Sequence, residues 1–141
     1  PDELLAGLSK APQQVLRSPQ AWFVVYANAD DVLGLRPDLE LLKQLWPYDV
    51  VVTAPAQGVA EGQYDFISRY FWPANGGAED PVTGSIHAGL APYWGERLGK
   101  TALLAYQASA RGGELRLNLQ GDRVLVAGQA QLYLQGHILV P

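Results

Sequence analysis

Residues Glu79-Asp80-Pro81-Val82-Thr83-Gly84-Ser85 gather carboxylates, hydroxyls and a glycine directly ahead of an apolar stretch, Ile86 to Trp94. Asp80, Thr83 and Ser85 are residue types that favour helix starts, and Pro81 suits a first helical turn, where its missing N–H has no intrahelical partner to lose. The N–H groups of Gly84, Ser85 and Ile86 at such a start can hold a carboxylate or phosphate. The Ser85 hydroxyl would be an extra donor, and Gly84, lacking a Cβ, would let a ligand approach. Asp80 beside them would cap the helix, accept a proton, or orient a ligand amine or hydroxyl. The residues alone leave two readings open: Asp80 or Thr83 merely caps the helix, or the helix start is an anion site.

Other chemistry is thinner. His87 lies two residues past Ser85, and residues two apart on a helix do not face each other, so Asp80, Ser85 and His87 make a poor triad and His87 reads as a hydrogen-bonded structural histidine. His137 has less claim still. Gly84 to Gly89 (GSIHAG) is not a nucleophile elbow, and no Walker lysine follows a glycine loop. Glu79 and Asp80 are adjacent and should diverge, so they are not assigned jointly to acid–base work. Gln107 to Gly113 (QASARGG) is a polar loop at a strand end, where Arg111 either clamps a carboxylate or is a solvated turn residue. Trp22, Trp46, Trp72 and Trp94 sit in apolar contexts and read as core rather than as a stacking platform.

To position these groups the chain has 141 residues, 48% hydrophobic and 17% charged, enough for one domain with a true core. A net charge of −4 with scattered Lys and Arg argues against nucleic acid and anionic membrane as partners. The absence of cysteine excludes thiol nucleophiles, disulfides and Cys-ligated metals, and fits a reducing, cytoplasmic compartment. With two histidines, a His-rich metal site cannot be built within one chain. No apolar run is long enough to span a membrane and no signal peptide is visible. The start Pro1-Asp2-Glu3, without Met, reads as that of a fragment.

Helices are expected over Pro1–Leu8, Asp38–Leu45 and Val82–Leu98, the last ending at Gly99 with a kink near Pro92. Strands are expected over Gln13–Arg17, Ala21–Ala27, Asp49–Thr53, Tyr64–Trp72, Ala102–Ser109, Glu114–Gln120, Arg123–Ala127 and Gln129–Leu134. Asn28–Asp31 has turn chemistry, Pro73–Gly77 reads as a loop, and Gly112-Gly113 and Gly121-Asp122 read as hairpin turns. The fold class is α+β: a mixed, mostly antiparallel sheet. The helix from Val82 is apolar on most sides and should be covered on most sides, as by a sheet curved around it.

Ser68-Arg69-Tyr70-Phe71-Trp72-Pro73-Ala74, then Glu79 to Ser85 (EDPVTGS), then Leu90-Ala91-Pro92-Tyr93 resemble the C-terminal half of PhzF-like phenazine-biosynthesis isomerases. Gln107 with Arg111-Gly112 resembles a family Gln-Gly…Gly-Arg-Pro-Ser segment, with Ala108 in place of the first Gly and no Pro after Arg111. Trp22–Tyr26 and Val50–Pro55 also resemble family segments, so the likeness covers the whole chain as one half of such a protein. It implies a diaminopimelate-epimerase-like fold, in which two similar halves each wrap a mixed sheet around a central helix and the active site lies between the two helix starts. It also implies cofactor-independent, proton-shuttling isomerisation of a small carboxylate-bearing substrate. On the matching positions, Asp80 and Ser85 would be catalytic, and Gly84 would offer its N–H to a substrate carboxylate. Thr83, Gln107 and Arg111 would complete the binding wall. The principal acid/base Glu and a His would lie in an N-terminal half outside this sequence. Racemases of this fold that use a thiol pair are a different case, because this chain has no thiol to contribute.

These expectations make the isolated chain catalytically incompetent, and its uncovered surface should drive it to a homodimer. A non-catalytic small-acid-binding or assembly domain of the same fold is the competing reading.

Overall fold

The β-branched and aromatic runs become a single sheet. In the computed structural model, which describes residues 1–59 and 63–140, the strands are β1 (Gln14–Arg17), β2 (Ala21–Val25), β3 (Asp49–Pro55), β4 (Phe66–Phe71), β5 (Ala102–Gln107), β6 (Gly113–Gln120) and β7 (Arg123–Gly128). Their spatial order is their sequence order. β2 and β3 pair in parallel, as do β4 and β5, and the other neighbours are antiparallel. Parallel neighbours need crossover connections, and helices supply both. α2 (Ala29–Leu33) and α3 (Leu39–Lys43) lie between β2 and β3; α4 (Gly84–Leu98) lies between β4 and β5. α1 (Asp2–Gly7) precedes the sheet.

The central strands are buried on both faces, and the pleat sorts their side chains between two cores. Val24, Val50, Val52, Ile67 and Phe71 pack with Leu4, Leu8, Val32, Leu35 and Leu42 on the α1–α3 side. Phe23, Val25, Val51, Phe66 and Tyr70 pack with Ile86, Leu90, Ala91 and Trp94 of α4 on the other, joined by Leu103, Leu115 and Leu117. Along β6, Arg116 and Asn118 are exposed while Leu115 and Leu117 are buried, the expected alternation.

α4 begins at Gly84 and runs through Pro92 to Leu98, and Gly99 closes it at φ 64°, a left-handed conformation in which glycine meets no Cβ penalty. Its cover is one-sided. Ile86, His87, Leu90, Ala91, Trp94 and Gly95 are buried against the sheet, whereas Gly84, Ser85, Ala88, Gly89 and Pro92 are exposed. Small and polar residues, not large apolar ones, occupy that outer face, so the sheet need not close around it.

Several local expectations differ from the structure. Trp46, read as core, is 71% exposed beyond the end of α3, and Pro73–Asn75, read as part of a loop, forms one 3-10 turn. Asn28–Asp31 is not a bare turn but the start of α2, where Asn28 Oδ1 accepts from Asp31 N at 2.9 Å and Asp30 and Asp31 suit the positive helix end. Gln129–Leu134 is not a strand. From residue 129 to residue 140 the chain has no regular structure, and Leu132, Tyr133 and Leu134 are 75%, 97% and 80% exposed. Strand propensity expresses fit to a half-buried pleated surface, and among the described residues no such surface receives the segment.

Candidate functional site at the start of α4

β4 delivers the acidic pair to the helix start. Asp80 N donates to Tyr70 O at 2.9 Å, and Glu79 bridges to Phe71, so residues 79–80 lie antiparallel to the end of β4. The two carboxylates then diverge. Glu79 turns to Arg69, which grips it with two parallel bonds, Nε to Oε1 at 2.8 Å and Nη2 to Oε2 at 3.0 Å. Arg69 Nη1 also reaches the carbonyls of Val32 and Leu35 at 3.2 and 3.1 Å, tying the acidic segment to the end of α2. Asp80 turns towards α4, where its Oδ2 accepts from the Thr83 hydroxyl.

Gln107, fully buried at the end of β5, holds the bend between Asp80 and Thr83. Its Oε1 accepts from Thr83 N at 2.7 Å, while Nε2 donates to Asp80 O at 2.7 Å and to Thr83 Oγ1 at 3.1 Å. Both of its N–H donors and its carbonyl oxygen are used. The bonds also fix direction: Thr83 Oγ1 accepts from Gln107 and therefore gives its own proton to Asp80.

Neither capping reading describes the helix start. Thr83 is the N-cap residue, yet no side chain caps α4, because the Thr83 hydroxyl is committed to Asp80. The first N–H groups of a fifteen-residue helix thus face outward with their partial positive charge. Gly84 and Ser85 are exposed there, and a Cβ on Gly84 would meet no protein atom within 4 Å. The space beside Gly84 is open. Asp80, Thr83 and Gln107 are joined directly, and Gly84 and Ser85 follow in the first turn.

Arg111 sits apart. It is exposed and lines a cleft of about 650 Å³ with Val82, Glu114 and Gln129. Its loop is pinned to the helix approach by Ser109, whose Oγ donates to Pro81 O at 2.7 Å and accepts from Gly112 N at 3.1 Å. His137 lies in the exposed tail. Among the described residues, no three His, Cys, Asp or Glu side chains come together as a metal site, and no helix is long and apolar enough to cross a membrane.

His87 is buried beneath the site. Its Nδ1 lies 2.6 Å from the Thr83 carbonyl, which can only accept, so Nδ1 carries the proton and Nε2 accepts from Ser68 Oγ at 3.3 Å. The ring stacks on Phe66, which stacks on Trp94. Burial pushes its pKa down to about 4, against the opposing pull of the Thr83 carbonyl. The neutral ring is the folded form, so its stabilising contribution is present above about pH 6.5 and is lost as pH falls towards 4. Wild type should lose about 3 kcal/mol relative to His87→Gln between pH 7 and pH 4, read from urea unfolding at the two pH values. Parallel pH profiles for the two proteins would show that His87 is not buried neutral.

The sequence contained further site residues that its local pattern did not reveal. Gln20, just before β2, donates from Nε2 to Ser85 Oγ at 3.0 Å and to Tyr70 OH at 2.9 Å, and Tyr70 OH donates to Asp49 Oδ2 at 2.5 Å. Burial, then the bond to Asp49, raises the Tyr70 pKa well above its ordinary value, so the phenol stays protonated. Tyr70 stands in the sequence only as one residue of an alternating strand, and Gln20 lies 65 positions from Ser85, beyond the reach of any local periodicity.

Comparison with known proteins places the chain in a family. A family model described as phenazine biosynthesis-like protein matches residues 3–136. An uncharacterised isomerase of Halalkalibacterium halodurans is 43% identical over 140 residues, which is 99% of this chain and 52% of that protein. An uncharacterised isomerase of Pseudomonas aeruginosa is 45% identical over 136 residues, covering 96% of this chain and 50% of its own length. The crystal structure of a PhzF-family phenazine biosynthesis protein from Enterococcus faecalis superposes with a TM-score of 0.79 at 37% identity, covering 94% of this chain and 51% of that one. The chain spans about half the length of these relatives. With the family match running over nearly all of its residues, the chain belongs to the PhzC-PhzF, phenazine biosynthesis-like family.

Proposed function

We propose that this chain is the C-terminal half of a PhzF-like isomerase and forms one wall of its active site. The uncapped, open start of α4 carries the reading. The N–H groups at Gly84 and Ser85, with the Ser85 hydroxyl, hold the carboxylate of a small acid. Asp80 orients a neighbouring polar group of the substrate, and Gln107 and Thr83 set its position. Arg111, on its own cleft, steers the anion towards the wall. A second half, packed on the exposed face of α4, supplies the group that takes a proton beside the carboxylate and returns it elsewhere, with no cofactor. Relatives twice as long and named isomerases support this division of labour.

Gly84→Leu tests the wall directly. Its Cβ would meet no protein atom within 4 Å, so the unfolding midpoint should hold while calorimetric binding of benzoate weakens at least tenfold. Benzoate binding indifferent to Gly84→Leu would sink the anion site. Isomerase turnover by this chain alone, lost on Asp80→Ala, would sink the two-walled arrangement.

A further inference from the structure

We infer that Gln20 is a positioning residue, which with Tyr70 and Asp49 aims the Ser85 hydroxyl proton at the ligand. The inference rests on the anion site proposed above and is carried by the proton accounting of one hydrogen-bonded chain.

The chain begins at a group that only accepts. Asp49 Oδ1 takes a bond from Asn75 Nδ2 at 2.7 Å, and Oδ2 takes the Tyr70 phenol proton. With its proton spent on Asp49, the Tyr70 oxygen can serve Gln20 only as an acceptor. That settles which end of the Gln20 amide faces inward: Nε2, not Oε1. The second Nε2 proton then goes to Ser85 Oγ, 3.0 Å away. Ser85 accepts, and its own proton remains for a group in front of the helix. Gln20 itself cannot drift: its N donates to Ser18 Oγ at 3.1 Å and its carbonyl accepts from Asp49 N at 3.2 Å.

The consequence is chemical. A free serine rotor offers an anion either its proton or its lone pairs, and the second orientation repels. Gln20 removes the repulsive orientation before the ligand arrives, which is preorganisation of a donor. Oriented this way, Ser85 discriminates for a negatively charged or carbonyl oxygen and against a ligand donor.

A double-mutant cycle in the 141-residue chain, with benzoate as probe and calorimetry as readout, tests the inference. Ser85→Ala should weaken binding about tenfold, and Gln20→Leu about fivefold in the parent. In the Ser85→Ala background, Gln20→Leu should have an effect below about twofold, since its role passes through the hydroxyl. An undiminished fivefold loss there overturns the inference. A second readout needs no ligand: of the two Gln20 side-chain amide protons, Ser85→Ala should shift one NMR resonance and Tyr70→Phe the other. Amide protons blind to both substitutions mean that Oε1 faces inward, and overturn it as well. Wild type that fails to bind benzoate while both amide shifts appear overturns the anion site and the ligand-directed role together, leaving the hydrogen-bonded chain intact.

Discussion

Replacing Gln107 with leucine is expected to cost about 3 kcal/mol of folding free energy and to abolish carboxylate binding at the start of α4. Size is not the reason, since leucine fits a glutamine's volume approximately. Gln107 is fully buried and its amide is fully satisfied, by Thr83 N, Asp80 O and Thr83 Oγ1. A leucine leaves the Thr83 N–H facing hydrocarbon, and a buried donor without a partner loses the whole of its desolvation energy, about 1–3 kcal/mol. The Asp80 carbonyl and Thr83 hydroxyl lose bonds as well. The bend relaxes, and the turn that points N–H groups at a ligand relaxes with it. Ser109→Ala is the control: its bond to Pro81 O secures the same segment from the exposed side and should cost about 0.5–1 kcal/mol. Urea midpoints for the two variants measure the difference. Equal, small losses would mean that the bend is held by something other than Gln107.

Arg69→Met should be equally costly, about 3 kcal/mol, at the low end for a broken buried pair because the side chains of Arg69 and Glu79 retain 13% and 23% exposure. One planar guanidinium reaches four acceptors: both Glu79 oxygens and the carbonyls of Val32 and Leu35. It also lies over the Phe71 ring, 5.0 Å from its centroid. Methionine keeps the packing and loses every bond, leaving a carboxylate without its cation. Adding Glu79→Gln removes that stranded charge and should recover about 1 kcal/mol. Arg69→Lys should rescue little, because a single ammonium cannot span the carboxylate and two carbonyls in one plane. If Arg69→Lys unfolds with the wild-type midpoint, the fork geometry is irrelevant and only the charge counts.

These two residues mark how far local pattern carries. The alternation from Phe66 to Phe71 foretells which side chains enter which core, since a strand has one period and the sheet's two faces use it. Pro81, Thr83 and Gly84 announce a helix start because the chemistry of termini is local. What pattern does not encode is the partner across the fold. Gln107 joins Thr83 over 24 positions and Arg69 meets Val32 over 37, and neither pairing follows from the spacing of residues along the chain. Glu79 looks like Asp80 in sequence, yet one grips an arginine and the other faces α4. The opposite failure is Gln129–Leu134, which has a strand's composition without a surface to receive it.

The sheet's order has a kinetic consequence. Each strand from β1 to β7 lies beside the strand that precedes it in the chain, and the parallel pairs are bridged by helices rather than by long excursions. Assembly can therefore proceed by accretion at one growing edge, in the direction of synthesis, with each strand closing on its immediate predecessor in the chain. The bend at Asp80–Thr83 is the exception. It waits for Gln107 at the end of β5, 24 positions later, so the ligand-binding turn is locked only after strands β1 to β4 are already in place.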